Sequence, residues 1–378
     1  MIRYTAQTRS APRRSLLEQS LGLERPEQPA DRILLFCFML MMLLGTLAVF
    51  SALAFFAREK GTTAVAMMQG HLPKLGMGVA LMLLFSRLDY RAIVQASRYV
   101  LIGALVLLVV VNQAGEVVFG ARRSLSLAGF SFQPSSIASG ALLLHLSGLL
   151  ASKQAYIENF GKAFLPAMVW VIATCGLIGL QDFSSAVLLF GLSLAVMVVA
   201  RIPGTHFIPI LGFGVLGAFL LLSSSPERLS RVQEYTRQMI TLPSETLERG
   251  EGYQAQQAQI AIARGGILGV GMGKSTQREF LPAPYNDYLF AIIAEEYGAV
   301  GAFGVLGLLV TVMVRGILVV ARRAADLTGM LAALAATLMI SLQGLIHMGV
   351  STGLFPVTGL PLPLMSYGGS HLIVMGIM

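Results

Sequence analysis

Little in this sequence would keep it in water. Charged residues fill only 12% of its 378 positions, while 55% are hydrophobic. Mean hydropathy is +0.73. A soluble fold of this length could not hide so much apolar surface in one core. Cysteine is almost absent, with Cys37 and Cys175 both inside apolar runs. That excludes a disulfide framework and a thiolate metal site, and both read as small hydrophobes. There is no His/Asp/Glu cluster with metal-ligand spacing and no Ser-His-Asp arrangement. No internal repeat is visible, which disfavours an inverted-repeat transporter. The first 32 residues lack an apolar segment, so no cleavable signal peptide is expected. They carry Arg3, Arg9, Arg13, Arg14, Arg25 and Arg32 and read as a disordered basic cytoplasmic tail.

What is present is a series of apolar runs. Crossing ~30 Å of hydrocarbon takes about 20 mostly apolar residues. The runs predict an all-α integral membrane protein, a polytopic bundle of about ten transmembrane helices over residues 33–378. The expected spans are 33–56, 75–85 (starting as early as 72), 99–111, 135–150, 164–180, 183–200, 207–222, 289–314, 327–350 and one from about 362. The last is expected to be incomplete at Met378, with a C-terminal tail beyond it. The net charge of +8 sits mostly between spans, where it sets topology and meets lipid headgroups rather than nucleic acid. Counting Lys and Arg in the short loops places the N-terminus in the cytoplasm. The stretches 120–136, 223–288 and 352–370 then fall outside. The large outer loop 223–288 lies between helices 7 and 8, and loops this long are seldom mere connectors.

The large loop holds the most unusual sequence. Residues 252–264 have helical character, with an apolar segment Ala258 to Ala263 suited to the membrane surface. Gly265, Gly266, Gly269, Gly271 and Gly273 follow, then Lys274 and Ser275. Gly273-Lys274-Ser275 invites a nucleotide-loop reading, which fails because Leu268 stands where that motif needs glycine. Two readings remain: a flexible loop whose N–H groups and one ammonium meet a phosphate, or a plain tight turn. Asp287 lies just before an apolar span, after Pro282 and Pro284 and between Tyr285 and Tyr288. A carboxylate at that boundary is costly unless used or paired. Desolvation would raise its pKa and suit it to general-base work. The plainer reading is that Asn286 or Asp287 caps the next helix.

Glu295 is roughly 12 Å along a helix from Asp287, too far for a paired-carboxylate mechanism. Glu295 and Glu296 therefore read as polar contacts inside the bundle. Asp182 lies at a span boundary, where an ion pair to a cavity arginine or a cation contact is expected. Arg122, Arg123, Arg228, Arg231, Arg237, Arg264, Lys274 and Arg278 either form a cationic outer cavity suited to a diphosphate or are a solvated surface. His347, one turn from Gln343 in the ninth span, reads as an interhelical hydrogen bond and not as a metal ligand.

Several runs together resemble one family. They are Gly120-Ala121-Arg122-Arg123 with Gln133-Pro134-Ser135, the whole of 252–298, residues 353–363 reading GLFPVTGLPLP, and Ser366-Tyr367-Gly368-Gly369-Ser370. In this order and across essentially the whole chain they resemble the SEDS proteins, the family of RodA, FtsW and SpoVE. Within it the basic tail and the run Ser275 to Pro282 look more like FtsW. The resemblance implies a peptidoglycan glycosyltransferase of the bacterial cytoplasmic (inner) membrane that polymerises lipid II at its outer face. It implies that Asp287 is the essential acid, acting directly or with a divalent cation, Mg or Mn. Gln133, Ser366 and Tyr367 join Arg122, Arg123, Arg231, Lys274 and Ser275 as expected substrate contacts. Expected partners are lipid II, undecaprenyl-pyrophosphate-linked glycan and a class B penicillin-binding protein. The chain departs from the family pattern at Ser124 (usually Trp), Ser136 (Glu), Ser139 (Lys), His347 (Asn) and His371 (Ser), and in Gln181-Asp182-Phe183-Ser184-Ser185. Two rival functions follow: a lipid II flippase, and a non-catalytic scaffold for the transpeptidase. The clustering of acid and bases at one face argues against the first, and retention of Asp287 against the second.

Overall fold

The computed structural model describes residues 31–59, 61–114, 116–118, 121–127, 130–223, 229, 230, 233, 235, 236, 251–281 and 283–378. The expected tail therefore lies outside the described residues as far as residue 30. The helices, in chain order, are α1 (Arg32–Glu59), α2 (Ala64–Phe85), α3 (Tyr90–Ala114), α4 (Pro134–Ser152), α5 (Leu165–Gly179), α6 (Phe183–Val199), α7 (Phe207–Ser223), α8 (Glu251–Gly265), α9 (Leu289–Arg315), α10 (Leu327–Ser351) and α11 (Gly369–Ile377). Among the described residues six stretches are long and apolar enough to cross a membrane: Arg32–Ala57, Tyr90–Gln113, Pro134–Ser152, Phe160–Gly179, Leu289–Ala321 and Leu327–Ser351. Side chains such as Tyr99, Ile208 and Phe303 stand 70–75% exposed. Apolar surface of that extent suits lipid, not water. This is a helical, polytopic membrane protein.

The all-α expectation needs one correction. Across the stretch 120–136, expected as an outer loop, and just before it, the chain forms strands β1 (Glu116–Val118), β2 (Ala121–Leu127) and β3 (Phe130–Phe132). They make a small antiparallel sheet in the order β1-β2-β3. Alternation in Arg-Arg-Ser-Leu-Ser-Leu is the period-2 signal that a reading tuned to long apolar runs passes over. Two helices also start earlier than their apolar runs. α2 begins at Ala64, so Gln69, His71, Pro73 and Lys74 are inside it. α3 begins at Tyr90. The last helix starts later, at Gly369 rather than near residue 362.

α4 is the centre of the bundle. It packs along α3 and α10, and Leu142, Leu143, Leu146 and Leu150 are wholly buried. α11 lies along α2, and α9 contacts α1, α8 and α10. α8 is amphipathic but does not lie free on a membrane surface. Ala258 and Ala261 are buried with Ala291, Ile292 and Val350 against α9 and α10.

Carboxylates fix several helix ends. Asp31 accepts from the N–H groups of Ile33 and Leu34, which would otherwise lack partners in the first turn. It also takes a bidentate bond from Arg315, at 3.0 Å from Nε and 2.6 Å from Nη2. That pair ties the start of α1 to the end of α9. Asp326 caps α10 through Gly329 N–H at 2.7 Å and meets Arg91 Nε at 2.9 Å. The Arg315 hydrogen bond holds the Asp31 carboxyl below the usual carboxylate range, against the opposing effect of burial. A carboxylate lowered on folding stabilises the fold above its unfolded pKa of about 4, and that contribution is lost as pH falls through the lower folded value. Asp31→Asn is expected to flatten the acid side of the melting-temperature profile of the detergent-solubilised protein below about pH 4. An unchanged acid limb would show that this pair contributes nothing.

Candidate active site

Asp287 stands at the end of a short turn. The N–H groups of Asn286 and Asp287 both donate to the Ala283 carbonyl at 3.1 Å. Asn286 Nδ2 donates to Asp287 Oδ1 at 2.9 Å. The capping alternative is not what the structure shows. The N-cap of α9 is Tyr288, with no side-chain cap bond, and Asp287 is half-buried beside a cavity.

A second loop clamps this turn. Ser366 Oγ donates to the Asn286 carbonyl at 3.0 Å and accepts from Leu362 N–H at 2.8 Å. Tyr367 N–H donates to the Tyr285 carbonyl at 3.0 Å. Ser366 is 2% exposed, so its hydroxyl holds the Asp287 loop instead of facing a substrate. Behind it, His347 Nδ1 meets the Leu360 carbonyl at 2.7 Å and its Nε2 accepts from Phe290 N–H at 3.4 Å. Gln343 Nε2 donates to the Pro361 carbonyl at 2.9 Å and lies 3.0 Å from His371 Nε2. α10 thus fixes both the loop after it and the first turn of α9.

The glycine-rich loop is docked on α9, which favours the turn reading over a free phosphate nest. α9 breaks at Gly298, with φ 65°. The Glu295 and Glu296 carbonyls accept from Val270 and Gly271 N–H, each at 3.0 Å, while Ala299 and Val300 N–H donate to Gly266 and Ile267 carbonyls. Two helix bonds are exchanged for four loop bonds. Gly269 N–H goes to the Gly265 carbonyl and Lys274 N–H to that of Gly271. The N–H groups of Gly269, Val270, Gly271 and Lys274 are thus already bonded. Glu295, fully buried, accepts from Ser275 Oγ, from Thr276 N–H at 3.1 Å and from Gln277 N–H at 3.3 Å. Arg264 Nε lies 3.9 Å from it. Glu296 accepts from Ser51 Oγ on α1, and Arg278 Nη1 reaches the Ser51 carbonyl at 3.0 Å. Ser275 is thus a loop anchor, not a substrate contact, and Lys274 is exposed away from the cavity.

The cavity beside Asp287 measures about 410 Å³. Of the expected residues it gathers Asp287, Asp182, Gln133 and Tyr367. Asp182 caps α6, accepting from Ser185 N–H at 3.1 Å and Ser185 Oγ at 2.8 Å. Among the described residues no basic side chain lies within salt-bridge distance of it, and the cavity arginines expected as its partner have side chains outside the described residues. The backbones of Arg122 and Arg123 run in β2, Arg122 opposite Val117. Their side chains, and Arg231 altogether, lie outside the described residues. Ser124, Ser136, Ser139, Ser185 and His371 also line the cavity. These are most of the positions where the chain departs from the family pattern it resembles. Burial raises the Tyr367 phenol, and burial with nearby Tyr367 and Asp287 raises that of Tyr285. Both remain hydrogen-bond donors at neutral pH. Among the described residues no three His, Cys, Asp or Glu side chains gather as a metal cage, so a divalent cation here would rest on Asp287 together with substrate oxygens.

This geometry can be compared with known proteins. The sequence model of the FtsW/RodA/SpoVE family, described as cell cycle protein, matches residues 31–378. The chain belongs to the FtsW/RodA/SpoVE family. Stage V sporulation protein E of Bacillus subtilis is 33% identical over 349 residues, covering 91% of this chain and 93% of that protein. The probable peptidoglycan glycosyltransferase FtsW of Coxiella burnetii is 34% identical over 352 residues, covering 91% and 92%. Among solved structures, a chain from a peptidoglycan synthase complex studied for its coordination of polymerization and crosslinking aligns with TM-score 0.71. It is 27% identical and the alignment covers 92% of this chain and 94% of that one. The rod shape determining protein RodA of Thermus thermophilus aligns with TM-score 0.65 at 26% identity, covering 93% and 95%.

Sequence reasoning missed Lys74 in this FtsW/RodA/SpoVE-family chain. Lys74 lines the cavity, with Nζ 5.6 Å from the Tyr367 ring centroid. His71 stacks on the same ring at 4.8 Å. The signal was there: a lysine among apolar residues of membrane-span length is a functional candidate by default.

Proposed function

We propose that this chain is a peptidoglycan glycosyltransferase that polymerises lipid II at the outer face of the bacterial cytoplasmic membrane, with its N-terminus in the cytoplasm. The observation that carries the reading is Asp287, held by two interlocked loops at the wall of a cavity that several polar side chains line, in a family whose named relatives include glycosyltransferases. Asp287 takes the proton of the acceptor sugar hydroxyl. The oxygen bonds the donor's anomeric carbon with inversion, and the bond to the lipid diphosphate breaks. Ser135, Ser136 and Ser139 of α4, with Gln133, supply hydroxyl and amide groups to the same cavity, a lining suited to a sugar. A class B penicillin-binding protein is the partner that would crosslink the product.

The departures at Ser124, Ser136 and Ser139 favour one rival, a scaffold that has lost its chemistry. The discriminating experiment is polymerisation of lipid II by the purified chain with its cognate transpeptidase, read as glycan bands on a gel. Glycan formation supports the enzyme. A chain that binds the transpeptidase normally and makes no glycan is a scaffold.

A further inference from the structure

Lys74 lies in the middle of α2, directly after Pro73. Pro73 has no N–H for the Gln69 carbonyl, so the helix ladder is open at that turn. An ammonium inside an apolar helix is costly unless it faces a polar cavity. Lys74 faces the one that holds Asp287, and it is the only Lys or Arg among the described residues lining it. Its stem runs along the backbone of Gly369, where a Cβ would come within 2.6 Å of Lys74 Cδ. Tyr367, under its ammonium, is hydrogen-bonded to Tyr285 in the Asp287 turn. Tyr367 thus touches the cation with its ring and the turn that carries the carboxylate with its backbone. The α4 wall opposite offers serines, with no cation of its own.

We propose that Lys74 holds the diphosphate leaving group of the glycosyl donor, an inference that rests on the glycosyltransferase reading. As the acceptor oxygen bonds the anomeric carbon, its proton goes to Asp287. The carbon–oxygen bond to the diphosphate breaks, its electron pair stays on the diphosphate, and the charge that gathers there is met by Lys74. A lysine serves phosphate as a compact point charge, and it acts most strongly where charge develops in a water-poor cavity.

The test uses the full chain in neutral detergent and radiolabelled farnesyl diphosphate as the probe, so binding is read without polymerisation. Lys74→Gln is expected to weaken binding about tenfold to hundredfold, the scale of one charge-assisted hydrogen bond. Lys74→Arg is expected to stay within about threefold, since the charge is kept. Should Lys74→Gln not fold, Lys74→Met keeps the stem and carries the same comparison. Phosphatidylglycerol is the second arm, because a lipid headgroup shares the phosphate chemistry. Binding that is unchanged in Lys74→Gln, absent from the wild type, or displaced equally well by phosphatidylglycerol overturns the proposal. Lysine-dependent diphosphate binding in a chain that makes no glycan would leave the site standing and sink the enzyme reading. Glycan synthesis with lysine-independent binding would do the reverse.

Discussion

Asp287→Asn is expected to lower lipid II polymerisation by about 10²–10⁴-fold, the range that general-base help supplies. The substitution removes one capacity and little else. An asparagine side chain is isosteric, and its carbonyl oxygen can still accept from Asn286 Nδ2, the bond seen at 2.9 Å. The turn itself is made by backbone bonds to Ala283, and the neighbouring loop is held by Ser366 and Tyr367. None of these needs a carboxylate. The N-cap of α9 is Tyr288, so no helix cap is lost. Melting temperature and transpeptidase binding should therefore match the wild type while glycan synthesis collapses. The assay is a time course at matched protein and partner concentrations. Asp287→Asn activity within a few-fold of wild type would remove Asp287 from the chemistry, and the proton acceptor would have to be sought elsewhere in the cavity.

The parts of the fold that could be read directly are those governed by a single variable, apolar length. α6, α7, α9 and α10 begin at the residues where their runs begin and end within a residue or two of them. The front of α2 was hidden because Gln69, His71, Pro73 and Lys74 look like a loop. Lys74 among them lines the cavity and buried His71 stacks on Tyr367 beside it, which is a tertiary fact. The sheet at 116–132 was hidden because its outer strands have three residues each, too few for any periodicity to register. The site was legible where chemistry is costly. A boundary carboxylate such as Asp287 announces itself, and so do two adjacent acids in an apolar helix. Ser366 and Ser275 did not, because a serine that braces a loop and one that binds a sugar look alike until its partner is known. The departures at Ser124, Ser136, Ser139 and His371 looked scattered along the chain. In space they share one cavity, so this chain has redecorated one wall of its site while the loop scaffold behind Asp287 stays tied together.

That scaffold leads to the second large effect. Gly269→Ala is expected to cost about 3–5 kcal/mol, combining left-handed backbone strain with overpacking. Gly269 has φ 82°, and a Cβ there would sit 2.1 Å from the Glu296 carbonyl oxygen. That oxygen cannot retreat, because it accepts from Gly271 N–H and belongs to the broken turn of α9. Undocking the loop strands the Glu295 and Glu296 carbonyls and deprives the two buried carboxylates of the Ser275, Thr276 and Gln277 groups that satisfy them. A buried acceptor left unpaired costs about 1–3 kcal/mol more. Gly273→Ala is the built-in comparison. Its φ is 76° but nothing lies within 4 Å of the added carbon, so only backbone strain of about 1–2 kcal/mol remains. Hydrogen exchange over residues 265–280 distinguishes the two: protection of the Val270 and Gly271 amides is expected to vanish in Gly269→Ala and persist in Gly273→Ala. Equal behaviour of the two variants would mean that the loop is not docked on α9. Activity should follow the docking, because α9 carries the loop anchors two turns beyond Asp287, and a helix loosened there no longer holds its first turn against His347.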